Sequence, residues 1–116
     1  RFSIHGHSLI LTGNKDAGVV QQLLTLKANR AYSLGAYIKI KEQTQIRFEI
    51  KQKGKVIAQV TSNDDIEYSN DSSWKFINLD FELGNNFKNT ELHCIKLGKG
   101  EVYIDNIGII PIPESK

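Results

Sequence analysis

Alternation of apolar and polar residues constrains this chain more than any other feature. In Ala31–Ile40, Tyr32, Leu34, Ala36, Ile38 and Ile40 fall on one side, and Ser33, Gly35, Tyr37 and Lys39 on the other. Gln45–Lys51 sets Ile46, Phe48 and Ile50 against Gln45, Arg47, Glu49 and Lys51. Trp74–Leu83 sets Ile77, Leu79, Phe81 and Leu83 against Phe76, Asn78, Asp80 and Glu82. Side chains of an extended strand point alternately to its two faces, so a period of two marks half-buried antiparallel strands. Ser8–Leu11, Val19–Leu26, Val56–Thr61, Glu91–Leu97 and Glu101–Ile110 extend the set. Val-Val and an alternating Leu-Leu-Thr-Leu favour strand over helix in Val19–Leu26. Turn residues separate the runs at Gly13-Asn14-Lys15-Asp16, Lys53-Gly54-Lys55, Gly84-Asn85-Asn86 and Gly98-Lys99-Gly100. Roughly eight short strands in one chain predict an all-β antiparallel sandwich or jelly roll.

Composition narrows the function. The 116 residues make one domain, able to bury its own core. A formal charge of +2 with scattered lysines argues against nucleic acid as the partner. Lys39-Ile40-Lys41 and Lys51-Gln52-Lys53 read as solvated strand faces. No run of about 18 apolar residues is present, so no membrane partner is expected. The single cysteine, Cys94, can form neither an internal disulfide nor a thiolate metal site, and it reads as a small buried hydrophobe. No signal peptide is visible. With Arg1 at the start and no methionine anywhere, the chain is expected to be one domain of a larger protein with further domains attached.

Chemistry-bearing motifs are absent. There is no nucleophile elbow, no phosphate loop and no His-Glu-x-x-His. His5 and His7 alternate and could point together, but two imidazoles without a third ligand make a poor zinc site. The polar stretch Ser62–Ser73 reads either as a solvated loop or as a specificity loop over a binding face, with Tyr68 and Trp74 as apolar contacts. The expectation is a binding or structural domain, not an enzyme.

An ordered set of short motifs runs through the chain: Gly6-His7-Ser8-Leu9, then Val20-x-Gln22-x-Leu24-x-Leu26. Tyr32-Ser33-Leu34-Gly35-Ala36-Tyr37-Ile38-Lys39 follows, then Trp74 with Phe81, and last Val102-Tyr103-Ile104-Asp105-Asn106-Ile107. In this order they resemble the carbohydrate-binding modules of the galactose-binding-like jelly-roll superfamily, the kind appended to xylanases and glucanases. The resemblance implies a secreted or cell-surface module that binds a polysaccharide or glycan. The strand that opens such modules has no counterpart here. Arg1-Phe2-Ser3-Ile4 is too short for it, so the sheet lacks its first strand or takes it from another chain.

In that superfamily the last strand's Asp commonly helps hold a structural calcium, which the resemblance carries to Asp105. Calcium takes about six to eight oxygens, so a carboxylate beside loop carbonyls would suit it. The other reading is that Asp105 caps backbone amides at a bulge, which Asn106 would suit. For the glycan, aromatic faces and planar polar groups are needed. Tyr37, Arg47, Glu49 and Gln21 are expected to share one outer face, with Asn78 turned outward and Tyr68 in the loop. Ordinary cross-strand pairs on a wet sheet would look the same. The alternative function is an assembly module that binds other protein chains, perhaps by accepting a strand.

Overall fold

The computed structural model describes residues 2–3, 9–23, 26–41, 44–62, 74–85 and 89–113. Among the described residues, nine strands form two antiparallel sheets: β1 (Phe2–Ser3), β2 (Leu9–Leu11), β3 (Ala17–Gln22), β4 (Arg30–Lys41), β5 (Gln45–Gln52), β6 (Lys55–Thr61), β7 (Lys75–Leu83), β8 (Thr90–Leu97) and β9 (Glu101–Pro111). The larger sheet has the order β1-β9-β4-β7, with β2 also on β9. The smaller sheet has the order β3-β8-β5-β6. This is the expected all-β antiparallel sandwich. No described helix is long and apolar enough to cross a membrane.

The alternation decides which side of each strand is buried. Tyr32, Leu34, Ala36 and Ile38 of β4 meet Ile46, Phe48 and Ile50 of β5 in one core. Leu92 and Cys94 of β8, Val102 and Ile104 of β9, and Ile77 and Phe81 of β7 complete it. The Tyr32 and Phe81 rings stack with centroids 5.8 Å apart, and the Tyr32 hydroxyl accepts the Lys27 N–H at 2.8 Å. Lys53 (φ 52°) and Gly54 (φ 79°) form the two-residue turn between β5 and β6. Two consecutive positive φ values give a turn whose twist matches the flanking strands, and glycine adopts that conformation without a Cβ clash.

Two expectations need correction. Phe2–Ser3 does form a strand: Phe2 pairs with Ile109 and Ser3 with Gly108. Further along β9, Leu9 pairs with Ile104 and Leu11 with Val102. Together β1 and β2 line one edge of β9. β3 also ends at Gln22, before the expected Leu26. Leu23 and Leu26 are buried all the same.

The Asp-Asn pair of β9 has a clear physical account. Val102 and Ile104 face the core at even positions, whereas Ile107 and Ile109 face it at odd ones. One inserted residue is needed to switch parity. Across β4, Gly35 pairs with Gly108 but Tyr37 pairs with Asp105, so β9 carries the extra residue. Asn106 takes it up at φ 53°, a left-handed conformation that asparagine tolerates better than most residues. The Asp105 Oδ1 accepts the Asn106 N–H at 2.9 Å. The capping reading of Asp105 therefore describes what its carboxylate does.

Candidate functional site

The outer face of the larger sheet gathers aromatic side chains from three strands. Residues paired in register share a face, because pleated strands keep their alternation in step. β7 places Phe76 beside Tyr37 of β4, and β4 places Tyr37 beside Asp105 of β9. One step along, Lys39 lies beside Tyr103 of β9, and Tyr103 beside Ile10 of β2. Trp74, which precedes β7, reaches the same row: the Lys39 Nζ is 5.8 Å from its ring and 5.7 Å from the Tyr103 ring. The Lys41 Nζ is 5.3 Å from the Tyr103 ring.

Three of these rings stand in solvent, and Tyr103 is partly buried. Trp74 is 43% exposed, Tyr37 46% and Phe76 54%, with Ile10 at 51%. A core would bury such rings, and an isolated exposed ring would mean nothing, but a contiguous exposed set marks an interaction surface. Tyr37 and Phe76 have centroids 5.3 Å apart at an interplanar angle of 60°. Phe76 lies directly over Gly35, where an added Cβ would meet its Cζ at 2.8 Å. The glycine thus lets the ring settle onto the sheet. Beyond it the face turns polar, with Asn78 beside Gly35 and Asp80 beside Ser33.

Hydrogen bonds order the far side of the band. The Tyr103 hydroxyl donates to Glu101 Oε2 at 2.6 Å. That bond is the main reason its phenol is held above the usual tyrosine range. No described carboxylate lies within ion-pair distance of Lys39 or Lys41.

The structure splits the residues expected to share a face. Tyr37 and Asn78 are together on the larger sheet. Arg47 and Glu49 lie on β5, on the outer face of the smaller sheet and so on the opposite side of the sandwich. There the Glu49 carboxylate is buried, 2.8 Å from Arg47 Nε and 3.8 Å from Lys51 Nζ. The Arg47 Nε–H does not aim straight at the oxygen, so the contact is an ion pair rather than an aligned hydrogen bond. Nearby, His93 Nε2 is 3.1 Å from Glu91 Oε1. Gln21 sits on the edge strand β3, paired with the core residue Leu92, and is therefore on the core-side register rather than the outer one. Tyr68 lies outside the described residues.

Sequence reasoning offered Trp74 only as an apolar contact beside the Ser62–Ser73 stretch, and it did not select Phe76 or Tyr103 as binding residues. A signal for Phe76 was present: a large aromatic at a polar position of an alternating strand.

Metal chemistry has a narrow basis here. The described residues hold no group of three or more His, Cys, Asp or Glu side chains that could bind a metal ion. Around Asp105 they offer calcium one carboxylate, already hydrogen-bonded to the Asn106 amide. Any calcium there would draw the rest of its roughly six to eight oxygens from other groups, such as backbone carbonyls.

The fold is one used by carbohydrate-binding modules. No protein-family description matches the sequence, and no curated relative does. Among solved structures, the chain is similar to "Family 16 Carbohydrate Binding Module-2", with a TM-score of 0.60 and 22% identity over 89% of this chain and 75% of that one. It is similar to a structure described as "CBM4 structure and function", with a TM-score of 0.63 and 11% identity over 94% and 74%. It is also similar to a cyclase from Fischerella sp. TAU, with a TM-score of 0.65 and 19% identity over 90% of this chain but only 60% of the cyclase. These likenesses establish the sandwich fold. Binding modules and enzymes share it, so function rests on the site.

Proposed function

We propose that this chain is a non-catalytic carbohydrate-binding module whose glycan lies across the outer face of the larger sheet. One observation carries the reading: Trp74 and Phe76 at β7, Tyr37 on β4 and Tyr103 on β9 come together in a single band on one outer face. Aromatic faces cover the apolar side of sugar rings, and Asn78 and Ser33 offer hydrogen bonds to hydroxyls at its border. The band is open rather than a cleft, which suits holding a polymer more than processing one. The likeness to two carbohydrate-binding modules supports this use of the fold. The reading includes an extracellular or cell-surface location and an attached enzyme or surface protein.

The test is affinity electrophoresis or calorimetry against a panel of soluble polysaccharides. Phe76→Ala and Tyr37→Ala are each expected to weaken binding about tenfold, since a stacked aromatic contact contributes about 1 kcal/mol beyond the area it covers. Glu49→Gln, on the opposite face, is expected to leave affinity unchanged. A folded chain that binds no glycan rejects the reading.

The assembly alternative has its own observation. Edge strand β3, Ala-Gly-Val-Val-Gln-Gln, carries no charge and no proline to discourage pairing with another strand. It predicts concentration-dependent association in sedimentation, which a Val20→Lys change would abolish. A monomer at all concentrations rejects it.

A further inference from the structure

A polar cavity of about 170 Å³ opens where the aromatic band ends at Tyr103. It is lined by Thr12, Gly13 and Asn14, which follow β2, and by Lys99, Gly100 and Glu101, where β9 begins. Glu101 is two residues from Tyr103, so it shares the outer face and stands about 7 Å away along the strand. The Tyr103 hydroxyl donates to Glu101 Oε2 at 2.6 Å, which joins the last ring of the band to the cavity wall. The other carboxylate oxygen, Oε1, has no described partner.

Hydrogen bonds hold the cavity walls in place. Gly100 N–H donates to the Gly13 carbonyl at 3.1 Å, which fastens one wall to the other. From the core side, the buried Lys96 ammonium donates to the carbonyls of Gly13 and Lys15 at 3.2 and 2.5 Å, and to that of Gly98. Gly98 N–H in turn donates to Asp16 Oδ1 at 2.6 Å. Gly100 sits at φ 135°, and a Cβ there would meet the Lys41 carbonyl oxygen at 2.9 Å, so glycine lets this turn close against the end of β4. Walls fixed in advance spare a ligand the entropy of ordering them.

The lining offers both kinds of hydrogen-bonding group. The Thr12 hydroxyl and Asn14 amide donate and accept, Lys99 donates, and Glu101 accepts. Sugar hydroxyls also donate and accept, so this mixture suits the hydroxyl edge of one sugar ring. Neither turn, Thr12–Asp16 or Leu97–Gly100, carries an aromatic residue on which a further sugar could stack. We infer that the cavity is a terminal subsite: it takes the last sugar residue of a glycan laid over the band, so the module reads chain ends rather than interior segments. The rings supply contact area and the cavity recognises the end unit. This rests on the carbohydrate-binding reading above.

Calorimetry tests this by counting modules bound per chain. The probes are linear β-glucan, xylan and mannan, each as size-fractionated polymer and as short oligosaccharides. The expected result is one module per chain whatever its length, with equal molar affinity for polymer and long oligosaccharide. Thr12→Val with Asn14→Ala should weaken binding about tenfold or more, as the loss of two hydrogen bonds does. Lys53→Gln with Lys55→Gln, on the β5–β6 hairpin, should change nothing. A count that rises in proportion to chain length would overturn the inference, because interior residues would then suffice. Unchanged affinity in the Thr12/Asn14 double variant, with binding lost in Phe76→Ala, would also overturn it. Either result leaves the carbohydrate-binding reading standing. A folded chain that binds none of these glycans would overturn both.

Discussion

At Gly35 the structure separates stability from function within one residue. A Cβ there would come within 2.8 Å of the Phe76 Cζ, 3.1 Å of its Cε1 and 4.0 Å of its Cε2, so its three nearest neighbours all belong to one ring. The obstacle is the tip of a half-exposed side chain, which can swing aside into solvent. Gly35→Ala is therefore expected to change folding stability by less than about 1 kcal/mol, helped by alanine's smaller loss of backbone entropy in a strand. The same change lifts Phe76 off the sheet and tilts it against Tyr37, so glycan affinity should fall while Tm holds. Calorimetry paired with thermal unfolding reads both; a drop in Tm without loss of affinity would reject the account. Alternation alone placed both Tyr37 and Phe76 outside. Alternation could not say that Arg47 and Glu49, equally outward, belong to the other sheet. Facing is a property of one strand, whereas the choice of sheet depends on pairing between residues far apart in the chain.

β9 shows how an element can carry its own correction. Its even-then-odd core positions, Val102 and Ile104 followed by Ile107 and Ile109, are visible in the sequence as a break in alternation, and Asp105-Asn106 sits at the break. The bulge is thus legible, while the partner that frames it is not. β1 has only two residues, too few for any period, and exists because Ile109 and Gly108 offer it a ladder. Asn106 at φ 53° is the residue on which the parity switch depends. Asn106→Gly is expected to be neutral or slightly stabilising, because glycine enters this region freely. Asn106→Val is expected to cost about 1–2 kcal/mol, since a β-branched residue crowds its own backbone there. Denaturant unfolding of the two variants checks the pair; equal stabilities would mean that the strand had shifted register instead.

For the molecule as a whole, β8 contributes two unusual core-side groups, Lys96 and Cys94. Lys96 is fully buried, and its ammonium donates to the carbonyls of Gly13, Lys15 and Gly98, those to Gly13 and Lys15 at 3.2 and 2.5 Å. Three donors meet three acceptors, so one charge ties the turn after β2 to the turn after β8. The Asp16 carboxylate accepts the Gly98 N–H beside it. A lysine at a core position cannot be recognised from alternation, because its partners are backbone groups of distant turns. Lys96→Met keeps the apolar stem and strands the carbonyls, and is expected to cost about 3 kcal/mol. Cys94 gives the other global readout. Burial pushes its thiol up from 9.0 to about 12, so between these values the native thiol stays neutral while the unfolded one ionises. Below pH 9 the thiol's contribution to stability is fully present. As pH rises from about 9 toward 12 it is lost, at up to about 1.4 kcal/mol per pH unit. Every other group contributes equally in Cys94→Ala. The difference in unfolding free energy between wild type and Cys94→Ala should therefore shrink with rising pH above about 9. Because the thiolate is the reactive form, alkylation of Cys94 at pH 8 should proceed only through unfolding, at a rate that rises with denaturant. Rapid alkylation of the native protein, or a pH-independent difference between the two proteins, would show that the core around Cys94 is open to solvent.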